Sequence, residues 1–220
     1  MIRDTLAKAY SSALEQETSS STKKDEGIGE INSLTLVYFP DGILKQTCLP
    51  VVEVTEEIKQ LARDMLLTMM LEGGIGLAAP QVGKLLRIFV VDIRWPEDLE
   101  KSDPHVFINP EIELGEGVDL VRSREACLSF PGGQAVLERH SSVKVRHLDG
   151  EGFPAVTEAD GFFARVIQHE MDHLDGKTLH GSISSIDMMT VRKNIQEKLR
   201  RRKRETKAHQ PHQRTARKRF

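Results

Sequence analysis

An α+β domain, with antiparallel β-strands wrapped around a central metal-binding helix, is predicted from three observations. Between residues 88 and 147 the apolar runs are short and closely spaced, which leaves no room for the crossover helices that parallel strands require. Two longer stretches, one from Thr55 and one from about Thr157, repeat their apolar residues at three and four instead. A chain of 220 residues with 39% apolar content can bury one core of ordinary size, so a single domain with tails is expected.

Residues 1–33 are expected to be a weakly ordered, uncleaved extension that opens with a short amphipathic helix. Ile2, Leu6, Ala9, Tyr10, Ala13 and Leu14 recur at near-helical spacing, then Ser19 to Lys24 reads as a linker. Asp4, Glu15, Glu17, Asp25 and Glu26 argue against a transit peptide, which would be poor in acids. From Thr55, an N-cap residue type, Glu56 and Glu57 suit the positive end of a helix whose apolar face is Ile58, Leu61, Ala62, Met65, Leu66 and Met69. Gly73 and Gly74 stop it. A Gly-rich stretch follows, lacking any phosphate-loop spacing, and then a strand over Ile88 to Asp92.

Further strands are read at 106–108, 111–114, 118–121, 135–139 and 143–147, with a hairpin turn at 148–152. A second long helix is predicted from near Thr157, with Glu158 and Asp160 in its first turn and Phe163, Val166, Ile167 and Leu174 facing the core. The domain so defined covers residues 34–190. Residues 191–220 form a basic tail whose first part, to Arg204, can be helical.

The net charge of −2 hides an asymmetry: residues 192–220 hold 13 Lys or Arg against 2 Glu, and the rest of the chain holds 18 basic against 31 acidic side chains. No apolar run approaches the roughly 18 residues of a membrane span, and no signal peptide is present, so a cytoplasmic protein without a membrane partner is expected. Two cysteines, Cys48 and Cys127, make no disulfide framework, and a reducing compartment leaves a thiolate free for metal.

The chemistry-bearing stretch is Gln168-His169-Glu170-Met171-Asp172-His173. On a helix, His169 and His173 at i and i+4 present two ring nitrogens to one ion, and Glu170 reaches a water beside it. Composition puts the chance expectation of such a string at about 0.03. A catalytic ion takes three protein ligands, so a third donor is needed. His180 and the histidines of the tail lie downstream, and Cys127, in Glu125-Ala126-Cys127-Leu128-Ser129, lies upstream.

Together with Gly74-Ile75-Gly76-Leu77-Ala78-Ala79-Pro80-Gln81, these segments resemble the peptide deformylase family, whose pattern is G-x-G-x-A-A-x-Q, then E-G-C-L-S, then Q-H-E-x-D-H-L. The resemblance runs from about Val37 to about Gly176. It implies a hydrolase that removes the formyl group from the N-terminal formyl-methionine of newly made polypeptides, releasing formate. Cys127, His169 and His173 would be the metal ligands, and a water made nucleophilic on the ion would attack the formyl carbonyl. Glu170 would be general base and then acid, and the Gln81 amide with the Leu128 backbone N–H would hold the developing oxyanion. The resemblance implies Fe(II); the sulfur and imidazole donors also suit Zn(II), Ni(II) or Co(II).

The family's methionine pocket maps to Ile75, Gly76, Phe162, Arg165 and Val166, and Arg139 is expected to touch the bound peptide. Arg165 stands where an apolar residue is usual, and is expected to snorkel past the pocket or narrow it. Ala126 replaces a usual Gly, which is tolerable if that backbone is extended. Gln168 and Glu125 are expected to orient the ligands or the loop. Formyl-methionyl nascent peptides are the expected partners of a monomer, with ribosome or RNA contact through Arg200-Arg201-Arg202-Lys203-Arg204. Two other readings stay open on the residues alone: an H-E-x-x-H peptidase with its third ligand downstream, and a catalytically silent nucleic-acid-binding protein on the same scaffold.

Overall fold

The computed structural model describes residues 5–11, 31–115 and 117–208. The linker expected at Ser19 to Lys24 lies outside these. Residues 5–11 form a helix, α1, whose Leu6 is 1% exposed and joins the main apolar cluster. At least this part of the extension expected to be weakly ordered is therefore packed against the body. Helix α2, Glu56–Leu71, begins at Thr55 as expected, although the Thr55 side chain makes no capping bond. It buries Ala62, Met65, Leu66, Met69 and Met70, and each large apolar side chain so buried contributes about 1.5–3 kcal/mol.

Among the described residues seven strands run from the Gly-rich segment onward: β1 (Gly76–Ala78), β2 (Ile88–Val91), β3 (His105–Glu113), β4 (Leu120–Ala126), β5 (Gln134–His140), β6 (Ser142–Leu148) and β7 (Pro154–Asp160). All named pairs are antiparallel, in a five-stranded sheet β1-β2-β3-β6-β7 and a two-stranded sheet β4-β5. The two runs read at 106–108 and 111–114 are one strand, β3, interrupted by a register shift between Ile108 and Glu111 where it pairs with β6. Asn109, at the shift, has a positive φ of 51° and bonds Val51 through both of its amide atoms.

One expectation is corrected. Residues 154–160 are strand, and the metal-motif helix, α3, spans Gly161–Leu174. Thr157, Glu158 and Asp160 have the composition of a helical first turn, but β6 offers a seven-residue register from Ser142↔Asp160 to Leu148↔Pro154. Pairing along that edge outweighs local preference, and the turn into helix is made at Gly161, φ 50°. Ala164, Ile167 and Leu174 of α3 then bury against Phe89, Val91, Phe107 and Val145 of the larger sheet.

Helix α4, Ser185–Ala208, carries the basic residues. It is anchored by buried Val191 and Ile195, and by the Arg202 guanidinium donating to the Leu36 carbonyl and the Tyr38 hydroxyl.

Candidate metal centre

Three segments meet over the buried face of α3. Helical spacing sets the His169 and His173 rings 5.2 Å apart. The end of β4 delivers Cys127, whose Sγ lies 3.2 Å from His173 Nε2. The donor atoms of Cys127, His169 and His173 all lie within 4.8 Å of one another, and all three residues are buried. The third donor is thus the upstream one: His180 instead stacks on Phe39 at 4.7 Å. Cys48 and Cys127 are both free thiols. Ala126 pairs with Gln134 at the end of β4 in extended backbone, so its methyl group is accommodated.

The donor set fits a divalent ion. In a tetrahedral site with bonds of about 2.0–2.3 Å, neighbouring donors stand roughly 3.3–3.8 Å apart. His169 holds Glu125 Oε2 through Nδ1 at 2.9 Å, which leaves Nε2 for the ion. Burial works against protonating His169, but its bonds to Cys127 and Glu125 outweigh burial and raise its proton affinity well above the ordinary value. A cation can use that affinity in place of the proton. His173 is held well below the ordinary value, first by burial and then by the charges of His169 and Arg139, so its ring is neutral and ready to donate. His173 Nδ1 and Glu170 Oε2 are buried without a hydrogen-bond partner among the described residues.

Glu170 is 3% exposed, and burial pushes its carboxyl up to about 7. Its Oε1 lies against Gly76, where an added Cβ would collide with it, so only glycine lets β1 pass this close. Gln81 is fixed in orientation: its Oε1 accepts from Ala78 N–H at 2.8 Å, which turns Nε2 toward Cys127 Sγ (3.4 Å) and Ser129 Oγ (3.3 Å). Gln81, Cys127, His169 and Glu170 line a cleft of about 550 Å³ whose wall also includes Ile75, Leu128, Phe162 and Val166. At its rim Lys198 of α4 reaches Glu72 Oε2 at 2.7 Å.

Two arginines of the site region share the Glu125 carboxylate. Arg139 is absent from the cleft wall: its Nε and Nη2 each meet Glu125 at 3.0 Å, and its Nη1 meets Asp172 Oδ2 at 2.6 Å. Through these bonds its guanidinium ties Glu125 of β4 to Asp172 of α3. Arg165 borders the cleft and does not snorkel outward. It is 6% exposed and donates to Glu125 Oε1 at 2.8 Å and to the Leu137 and Val121 carbonyls. Burial alone would raise the Glu125 carboxyl, but the bonds from His169 and Arg139, with the Arg139 charge, hold it at about 2. Gln168 bonds the His140 backbone through both amide atoms and so clamps α3 to β5.

The sequence reading missed the inward turn of Arg165 and the part played by Asp172. A charged residue one turn before His169, on the apolar face of α3, was the available signal.

Residues 33–188 match the family model described as polypeptide deformylase. The chain is similar to the peptide deformylase of Rickettsia akari, at 39% identity over 165 residues covering 74% of this chain and 94% of the relative. It is also similar to that of Mesorhizobium japonicum, at 45% identity over 160 residues, 72% and 89% of the two chains. Among solved structures, a peptide deformylase from Synechococcus elongatus in complex with actinonin superposes with a TM-score of 0.64 at 39% identity, covering 77% of this chain and 89% of that one. One from Legionella pneumophila gives 0.67 at 34% identity, covering 81% and 99%.

Proposed function

The chain belongs to the peptide deformylase family of metal-dependent hydrolases, and from this premise we propose that it removes the formyl group from the N-terminal formyl-methionine of newly made polypeptides. The observation that carries the reading is the convergence of Cys127, His169 and His173, two of which line a cleft together with Glu170. Lewis acidity, which makes water a nucleophile near neutral pH, is the chemistry that a divalent ion supplies between these three donors. Fe(II) is the proposed ion; the thiolate and imidazole donors support it and equally accept Zn(II), Ni(II) or Co(II).

The chain's own residues do the rest. Ile75, Gly76, Phe162 and Val166 take the methionine side chain and bring the formyl carbon into the cleft. Glu170, poised near neutrality, takes a proton from water as the new C–O bond forms, then passes it to the nitrogen as the C–N bond breaks. Gln81 Nε2–H and the Leu128 backbone N–H donate to the carbonyl oxygen as charge develops, each worth about 3 kcal/mol. Because the Ala78 N–H already holds the Gln81 oxygen, its NH₂ needs no reorientation during the reaction. The products are formate and a free amino terminus.

The catalytic unit is assigned to residues 34–190, acting as a monomer on nascent chains in the cytoplasm. Among the described residues no helix is long and apolar enough to cross a membrane. Ribosomal RNA is the proposed contact of α4, whose Arg200, Lys203 and Arg204 are exposed. The direct test is formate release from a formyl-Met tripeptide by the iron-loaded chain under anaerobic conditions. Wild type should turn over, and Glu170→Gln should retain its metal while losing about 10²–10⁴ in kcat. Cys127→Ala should lose the metal. A metal-loaded wild type that releases no formate would sink the reading.

A further inference from the structure

We propose that helix α1, acting through Tyr10 and Trp95, positions the segment Gly74-Ile75-Gly76 that receives the substrate, which makes Trp95 a positioning residue. The Trp95 indole Nε1–H donates to the Gly74 carbonyl at 2.7 Å. The next carbonyl, of Ile75, accepts from the Asp92 N–H at 3.0 Å. Two successive carbonyls of the cleft wall are therefore held by one short turn. That turn is itself rigid: the Asp92 carboxylate accepts from the backbone N–H groups of Arg94 (3.0 Å), Trp95 (3.1 Å) and Asp103 (3.1 Å), and from the Ser102 hydroxyl (2.6 Å).

The indole and the Tyr10 ring meet in a T-shaped contact, with ring centroids 5.7 Å apart. Leu6, one turn earlier on α1, is buried in the main apolar cluster, and Tyr10 packs against the same cluster. Residues 5–11 lie outside the 33–188 family match, so this support is added to the common domain. Its leverage on the site is short. Gly74 packs against the Leu128 side chain, closely enough that an added Cβ would stand 2.7 Å from Leu128 Cδ1. Gly76 lies against the Glu170 carboxylate. A displaced Gly74 carbonyl would therefore move Ile75 and Gly76 relative to Leu128 and Glu170. The packing disturbed is that which holds substrate before and during reaction alike, so the loss should appear in KM rather than kcat.

This inference rests on the deformylase reading, and its test is built to separate the two. Trp95→Phe keeps a ring against Tyr10 but removes the donor to Gly74. Tyr10→Ala removes the ring that backs Trp95, and Tyr10→Phe retains it. In the full, iron-loaded chain, Trp95→Phe and Tyr10→Ala should raise KM for a formyl-Met tripeptide about two- to tenfold with kcat within about twofold, the scale of one lost hydrogen bond. Tyr10→Phe should match wild type. Amide hydrogen exchange over residues 73–76 should quicken in the first two variants and not in the third. Unchanged KM and unchanged exchange in Trp95→Phe and Tyr10→Ala would overturn the inference, as would a kcat loss that simply follows global stability. A wild type without formate release would remove the deformylase reading instead, while exchange at 73–76 would still judge the support.

Discussion

At Glu125 two carboxylate oxygens serve three side chains: Arg165 and Arg139 on Oε1, Arg139 and His169 on Oε2. The carboxylate neutralises buried guanidinium charge and holds the His169 ring by Nδ1, which leaves Nε2 for the candidate metal site. Glu125→Gln should therefore cost about 3–5 kcal/mol of stability, because it leaves buried cations without their anion. It should also weaken metal binding by about 10- to 100-fold. Arg165→Leu leaves Arg139 and His169 on the same carboxylate and should cost less, about 1–3 kcal/mol. Urea unfolding and metal titration of the two variants check both statements, and equal losses would contradict the ranking. Sequence alone marks His169, Glu170 and His173, because local spacing sets their geometry. It does not show that Arg139 turns away from the cleft, since the groups that hold it lie 14 and 33 residues away.

Among the elements, β7 and α3 meet where local composition and long-range pairing disagree. Thr157 reads as a helix cap in isolation, yet in the fold its hydroxyl bonds His147 Nε2 across the β6–β7 pair at 2.9 Å, while His147 Nδ1 meets the Leu148 carbonyl at 3.0 Å. The carbonyl accepts from Nδ1–H, and the Thr157 hydroxyl can donate to Nε2 of the neutral ring. Burial lowers the His147 pKa from its ordinary 6.5, helped by the nearby His105 and opposed by the Leu148 carbonyl and Asp149. The unfolded chain therefore takes up this proton first as pH falls. The stability contributed by neutral His147 is complete above about pH 6.5 and is lost on acidification through the lowered folded value. His147→Gln should flatten that acid limb in urea unfolding at stepped pH, and a limb of undiminished slope would contradict the assignment.

Over the whole molecule, charge is divided between an acidic body and a basic C-terminal region, and α4 joins the two. Its buried Val191 and Ile195, and the Lys198–Glu72 pair at the cleft rim, fix the helix to the body while Arg200, Lys203 and Arg204 face outward. Removing the whole tail would strip core residues, so the sharper test is Arg200→Ser, Lys203→Ser and Arg204→Ser together. Formate release should persist. Ribosome co-sedimentation should weaken, with a log–log salt dependence shallower by about 0.9 for each phosphate no longer neutralised, or about 0.7 on single-stranded RNA. Co-sedimentation identical to wild type at every salt concentration would remove the ribosomal role of these residues.

The amino-acid order was enough to establish the α+β class, the onset of α2 and the ligand pair on α3, because each follows from periodicity or spacing within a few turns of chain. The resemblance added Cys127 and Gln81. Folding in three dimensions decided that residues 154–160 pair as a strand, that Arg139 and Arg165 converge on Glu125, and that Tyr10 and Trp95 together back the cleft wall. Each of these depends on partners remote in the chain. Their energies come from pairing and burial that no local window contains.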